Sequence, residues 1–318
     1  GGSGCPENQT KEFNVDLTLS STKPTRTNYT FVGWGSSASD TTSDYSAGGV
    51  YKNNSGTTLY AIWKRTLTFT FDANGASINA TSKSCDIYNA TTTCSITLPT
   101  ITRDGFSITG FNSSASSTTA ASGWGSGSKV SVTATTASKW YAITSKKISI
   151  TFTNNGGSGG GATRTCTIQN NATKCSITSP AITAPSNTPT VVGWGTATNS
   201  TTSSWNVSTA KDVSSNATYY AVTKKGSVTR TASFNLNGAT GTAPTSQSCT
   251  IDATYNGTAQ GTSCNITLPA GTGSYTGKAF NGWNTDKSAT SGTAPGTVSI
   301  SSSPTYYAIW KNNSYTIT

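Results

Sequence analysis

Seven cysteines are the residues of this chain best suited to covalent chemistry. Cys85 and Cys94 lie nine positions apart, as do Cys166 and Cys175, while Cys249 and Cys264 are fifteen apart around the insertion "ATYNGTAQG". Paired cysteines fit two chemistries, thiolate ligation of a metal or oxidation to a disulfide. Ligation calls for CxxC spacing or for histidines to complete the set, and the chain contains neither. Each pair flanks a turn between two predicted strands, at one phase of a repeat. Three hairpin disulfides are therefore expected, which places the chain in an oxidising compartment. Cys5 is the odd one: by phase it matches the first member of a pair, but Asn14 stands where its partner should be. A free thiol, a bond to another molecule and a bond between subunits all stay open for it.

Catalytic constellations are hard to assemble from the rest. Without histidine, Ser-His-Asp and Cys-His arrangements are excluded. The 11 carboxylates are scattered. Asp40 and Asp44 are the closest pair that could do glycosidase work, but they recur in no other repeat and read as a solvated loop. A Lys–Asn isopeptide cross-link would need a neighbouring buried acid, and the only glutamates, Glu7 and Glu12, sit near the start. No catalytic residue, metal site or cofactor is expected. Carbohydrate stacking is the fairer competitor, with 8 Trp and 13 Tyr available. Trp34, Trp63, Trp194, Trp283 and Trp310 sit at repeat-phased positions and read as core. Trp124, in "SGWGSG", is the best candidate for an exposed ligand-binding aromatic. Asn-x-Ser/Thr triplets, for example at Asn28, Asn79, Asn171 and Asn216, are acceptors for glycosylation.

Composition narrows the partners. The net charge of +10 is carried by single basic residues and by doublets at Lys64-Arg65, Lys146-Lys147 and Lys224-Lys225. A nucleic-acid interface would cluster them with stacking aromatics, so no nucleic-acid partner is expected. No apolar run is long enough to span a bilayer, so this segment is not expected to insert in a membrane. The chain has no Met, and its opening "GGSGCPE" reads as a mature or excised segment.

The elements that hold these residues repeat. "FVGWG" (Phe31–Gly35), "ITGFN" (Ile108–Asn112), "VVGWG" (Val191–Gly195) and "FNGWN" (Phe280–Asn284) each precede a phrase of the "YAIWK" type by 25–31 residues, counted from Gly33, Gly110, Gly193 and Gly282 to Tyr60, Tyr141, Tyr220 and Tyr307. "LTFTFDANG" from Leu67, "ISITFTNNGG" from Ile148 and "ASFNLNGA" from Ala232 alternate apolar and polar residues with period two, then break at Asn-Gly-type turns. Such periodicity predicts a mainly β chain, built as a tandem array of modules of about 80 residues. The predicted boundaries are 1–64, a truncated module lacking its first strand, then 65–145, 146–224 and 225–311. Residues 312–318 are the opening strand of a further module or a donor strand. No linker separates the modules, which implies a stiff, rod-like arrangement.

The two ends complement each other, because the first module lacks an opening strand and "NNSYTIT" begins one. The chain is thus either a window of a longer repetitive polypeptide or a unit of a donor-strand polymer. In the second case Tyr315, Thr316, Ile317 and Thr318 complete the first module of the next subunit.

A strand ending "FDANG" (Phe71–Gly75), an exit at "TLP", an aromatic before F-x-G-W (Tyr29–Trp34) and a closing "LYAIWK" (Leu59–Lys64) resemble the internalin-type B repeat, also called the Listeria–Bacteroides repeat. Phe111 replaces the Trp in the second module, and Thr144 and Thr223 replace the final Trp in the second and third. The resemblance implies β-grasp-like, ubiquitin-related modules in tandem on a bacterial surface protein, with no catalytic residues. The expectation is an extracellular, cell-surface structural protein, not an enzyme: a disulfide-stapled stalk or filament whose partner is itself. The alternative is an adhesin binding a glycan or host surface.

Overall fold

The computed structural model describes residues 1–317. All regular elements among them are β-strands. The chain divides into two compact units, Gly1–Ile148 with Thr167–Cys175 and Ser149–Cys166 with Ser176–Thr318.

In the first unit the closing phrase of one repeat and the opening phrase of the next form a single strand, Tyr60–Asp72. Lys64 and Arg65 lie inside it. Its alternation buries Leu67, Phe69 and Phe71 and turns the intervening threonines outward. The first half pairs antiparallel with Thr30–Gly35. The second half pairs antiparallel with Ser82–Tyr88, from Lys64↔Tyr88 to Thr70↔Ser82. Its last residues run parallel to the start of the strand Lys139–Thr153, with Phe71 opposite Trp140. Ser107–Asn112 closes the other side of that strand. A separate pair, Thr93–Thr97 with Lys129–Thr133, lies antiparallel. Leu67, Phe69, Phe71, Ile87, Ile96 and Phe111 share one core. Burying each large side chain there is worth about 1.5–3 kcal/mol.

The second unit repeats the plan. Residues Ile150–Thr153 run parallel to Ala217–Tyr220, and Thr190–Gly195 lies antiparallel to Ala217–Lys225. Further on, a four-stranded sheet has the order Gln247–Ile251, Val228–Asn235, Thr305–Asn312, Lys278–Asn284. Its central pair, Val228–Asn235 and Thr305–Asn312, is parallel. Cys264–Leu268 pairs with Gly296–Ile300, and Phe234, Ile266, Leu268 and Trp283 fill that core.

The recurring Gly of the G-W phrase has a steric cause. Each of these strands slips register just before it, between Phe31 and Gly33 in the first repeat and Phe280 and Trp283 in the last. Another segment then crosses tightly over the backbone. Trp34 N–H donates to Tyr45 O at 2.7 Å, Phe111 N–H to Trp124 O at 2.8 Å, Trp194 N–H to Trp205 O at 2.8 Å and Trp283 N–H to Thr293 O at 2.9 Å. Gly110 sits at φ 132°, and a Cβ there would lie 2.5 Å from Trp124 O. Neither the dihedral nor the space suits a side chain. Gly110→Ala is expected to cost on the order of 2–4 kcal/mol by strain and overpacking. Urea unfolding measures it, and a midpoint equal to the parent's would refute the steric account.

The hairpin cysteines are bonded. Cys85–Cys94 has its Cα atoms 6.0 Å apart and Cys249–Cys264 5.8 Å apart. Cys166 and Cys175 are disulfide-bonded as well. Cys85 and Cys94 pack against the first core and Cys249 and Cys264 against the last. Replacing Cys249 and Cys264 together with Ala is expected to cost about 3 kcal/mol, the loop-closure value for a loop of this size. The measurement is the loss of denaturation midpoint in the second unit, with the first unit's transition unmoved.

Candidate functional site

A tip asparagine marks the turn between the two cysteine strands in three repeats. Asn89, Asn170 and Asn256 have φ of 49°, 50° and 57°, the left-handed region that asparagine tolerates better than most residues. That conformation aims the side chain back at the closing strand of the preceding repeat. In the first unit Asn89 N–H donates to Trp63 O at 3.0 Å, and Trp63 N–H returns a bond to Asn89 Oδ1 at 2.8 Å. Asn89 Nδ2 then donates to Asp40 O in the loop after the G-W strand. Asn170 copies this, exchanging bonds with Thr144 O at 2.9 Å and Thr144 N–H at 3.2 Å. Its Nδ2 donates to Ala115 O and Ser117 O, both at 2.9 Å.

The second unit holds the third copy. Asn256 N–H donates to Thr223 O at 3.0 Å and its Oδ1 accepts from Thr223 N–H at 3.3 Å. Its Nδ2 donates to Thr198 O at 2.9 Å and Ser200 O at 3.0 Å. Each tip thus extends the ladder by one asparagine and ties down a loop.

Cationic and polar side chains brace the tips. Arg26 donates to Asn89 O at 2.7 Å and lies 3.8 Å over the Tyr29 ring. Arg103 donates to Asn170 O and, at 3.2 Å, to Ala172 O, while stacking 3.5 Å over Phe106. Burial lowers the Arg103 pKa from its ordinary value, though a guanidinium stays charged. Asn187 takes this part in the second unit, donating to Gly257 O. Gly75 and Gly156 are needed at these contacts: a Cβ on Gly75 would lie 2.6 Å from Asn171 Cα, and one on Gly156 2.5 Å from Asn256 O.

A groove in the first repeat is the second feature. Elsewhere the opening strand presses a phenylalanine on the G-W strand: Phe71 lies 5.1 Å from Phe111, Phe152 4.8 Å from Trp194 and Phe234 5.0 Å from Trp283, between ring centroids. In the first repeat the corresponding space is a cavity of about 550 Å³, lined by Leu17, Leu19, Trp34, Tyr51, Thr58 and Leu59. Thr57–Leu59, in the register where Lys139 and Trp140 pair with their opening strand, belongs to no strand. Tyr60 is 41% exposed.

The residues singled out from sequence fall in different places. Trp124 is not an exposed aromatic: it is 9% exposed and stacks at 3.3 Å on Trp140, within the core. Its glycine-rich neighbours serve the crossing over Gly110, and its ring face is covered. Asp40 and Asp44 cap loop amides, those of Ser37 at 2.7 Å and Ser36 at 2.9 Å. Cys5 is exposed and free, and it borders the groove. Its phase also differs from the one read in the sequence. Ser3 pairs with Thr25 as Ser158 pairs with Thr183, so Cys5 follows that bridge by two residues where Cys166 follows by eight. Tyr315 and Ile317 are 82% and 97% exposed, and Thr316 is exposed beside them. Thr318 lies outside the described residues. The tip asparagines and Arg26 and Arg103 were not picked out in the sequence. Their signal is the asparagine midway between paired cysteines, as "YNA", "QNN" and "YNG".

The Listeria-Bacteroides repeat domain model matches residues 1–62 and 231–309. The matched stretches lie in the first and last repeats. These repeats are the two that keep both aromatic positions, Trp34 with Trp63 and Trp283 with Trp310. The middle repeats share the strand plan of the matched ones through the pairings above. Neither curated proteins nor solved structures returned a significant match to the chain.

Asn170→Ala removes three side-chain bonds and leaves Thr144 N–H and two carbonyls without this partner. At about 1 kcal/mol per bond, plus the cost of a left-handed alanine, the first unit is expected to lose on the order of 3–4 kcal/mol. Amide exchange at Thr144 should rise in parallel. Retained protection of that amide would show the clasp to be incidental.

Proposed function

We propose that this chain is an extracellular structural protein of a bacterial surface, a non-enzymatic repeat array that assembles by strand complementation. The family of the first and last repeats supports the surface assignment, as do disulfides, which persist in oxidising compartments. The sheet order of the last repeat, with opening and closing strands parallel at the centre and an antiparallel neighbour on each side, supports a β-grasp-like reading of the module. Here the second cysteine strand, Cys264–Leu268, and its partner Gly296–Ile300 supply the second layer. A tandem of such modules joined by unbroken strands would serve as a stalk or filament.

One observation carries the assembly reading. Three repeats receive a phenylalanine-bearing opening strand, and the first presents a groove of matching position lined by Trp34, Tyr51 and Leu59. Tyr315–Ile317 of a second copy alternates polar and apolar residues as such a strand must, and its apolar side chains are exposed. Adding it would continue the sheet by β-augmentation and generate an open, head-to-tail polymer. The full chain is expected to form linear polymers in negative-stain images, and a chain ending at Asn313 to stay monomeric. Polymers of undiminished length from the shortened chain, or a full chain that never associates, would overturn strand donation. Labelling of intact cells with an antibody to the chain tests the surface assignment separately.

A further inference from the structure

The clasps of Asn170 and Asn256 share one receiving site, which the Asn89 clasp uses in part, and the last repeat carries all of its parts. The site consists of the N–H and C=O of one closing-strand residue, two loop carbonyls placed five and seven residues beyond the G-W glycine, and an Asn-Gly turn that leaves room for the tip. In the second repeat these are Thr144, Ala115, Ser117 and Gly75; in the third they are Thr223, Thr198, Ser200 and Gly156. In the last repeat the same positions are Trp310, Lys287, Ala289 and Gly238.

Their geometry corresponds part by part. Phe280↔Trp310 has the register of Phe31↔Trp63, so Trp310 presents its N–H and C=O on the side from which Asn89 reaches Trp63. Asn237 Nδ2 donates to Lys287 O at 2.9 Å and Ala308 O at 3.1 Å. Asn155 does the same to Thr198 O at 2.8 Å and Ala221 O at 3.1 Å. The loop is therefore held in the shape that receives a tip. Ala289 N–H bonds to Asp286 O as Ser200 N–H bonds to Ala197 O, which sets the second carbonyl. Gly238 has φ 89°, matching 90° at Gly156. A Cβ on it would find only Tyr275, at 3.6 Å, so the space that Asn256 takes beside Gly156 is open. One part differs: the turn bond from Lys278 N–H to Tyr275 O places Tyr275 where Arg26 stands in the first repeat, whose own turn bond comes from Tyr29 N–H. The brace is an aromatic ring 5.9 Å from Trp310 instead of a guanidinium.

We propose that Trp310, Lys287, Ala289 and Gly238 form a fourth clasp site, which takes the left-handed asparagine tip of a disulfide-closed β-hairpin. The occupant is a hairpin of the kind this chain carries at Cys85–Cys94, with its strand lying along Lys311 and the residues after it. This site needs no group of the first repeat, although its hairpin strand would lie along the residues after Lys311 that strand donation also uses. It makes the last repeat a coupling surface with a defined chemical preference, asparagine at the tip, because only that side chain combines an acceptor for Trp310 N–H with donors for two carbonyls and tolerates the backbone.

The test grafts a partner in register. A second copy of Arg65–Thr144 is joined after Lys311 in the full chain, in one form with the copied Asn89 and in another with that asparagine as alanine. Hydrogen exchange at the Trp310 amide is then followed by NMR. The asparagine form should slow exchange at Trp310 by about tenfold or more over the alanine form, equivalent to one hydrogen bond. Trp63, whose clasp is unaltered, must exchange alike in both. Oxidation of the grafted cysteine pair, read by mass, confirms that the hairpin is closed. Equal exchange at Trp310 in two oxidised grafts overturns the proposal.

Discussion

A hairpin tip in left-handed backbone aims its side-chain amide back along the strand it has just paired with. Asn89, Asn170 and Asn256 use that geometry to act as an extra rung of ladder for the preceding repeat. The same amide ties the loop after the G-W strand. Much else follows from this one bond set. The hairpin must close tightly for the tip to be presented, which is where the Cys85–Cys94 and Cys249–Cys264 bridges act. The Asn-Gly turn must lack a side chain where the tip arrives, which fixes Gly75 and Gly156. An arginine can then hold the tip carbonyl, as Arg26 and Arg103 do.

Such dependence on polar contacts suits a chain that is only 33% hydrophobic. Small modules bury too little apolar surface to be stable on hydrophobic burial alone. Here each core holds about a dozen side chains; in the last repeat seven of them are buried, Trp283 and six around it. Hydrogen bonds of about 1 kcal/mol each are modest, but an unmade one in a buried site costs more. The clasp therefore works as a condition on assembly: in the second and third repeats a neighbouring hairpin without asparagine leaves a strand N–H and one loop carbonyl without that partner, since the other carbonyl also accepts from Asn74 or Asn155.

The repeat, the strands and the bonded cysteines were legible in the sequence because each obeys a short period. Alternation in "LTFTFD" puts Leu67, Phe69 and Phe71 inside, and the glycine of each G-W phrase reports a close backbone crossing. The clasps were not legible, because asparagine is common in this chain and most copies only form turns. Asn14 also has positive φ, yet it pairs with Asn54 in its own repeat. Trp124 misled for a related reason. Glycines around an aromatic suggest exposure, whereas Gly123 and Gly127, both at positive φ, let the chain bend so that the ring can stack on Trp140. The phase of Cys5 failed because the hairpin of the first repeat is built differently, turning at Glu12–Val15.

The worn middle copies of the closing phrase have their own logic. In the first and last repeats the closing tryptophan faces a phenylalanine across the strands, Phe31↔Trp63 and Phe280↔Trp310, with rings 5.8 Å apart in both. In the middle repeats both members change together, to Ile108↔Thr144 and Val191↔Thr223. Cross-strand neighbours share one packing environment, so losing one aromatic removes the reason for the other. The threonines remain fully buried, and a buried hydroxyl needs a partner. Arg103 supplies it for Thr144 at 2.9 Å and Thr188 for Thr223 at 2.8 Å. Arg103 is also the brace of the Asn170 tip, so in the second repeat the group that satisfies the threonine is the group that holds the next hairpin. The aromatic pair stabilises a repeat by packing within itself, and the threonine version moves part of that stabilisation into the contact with the neighbour.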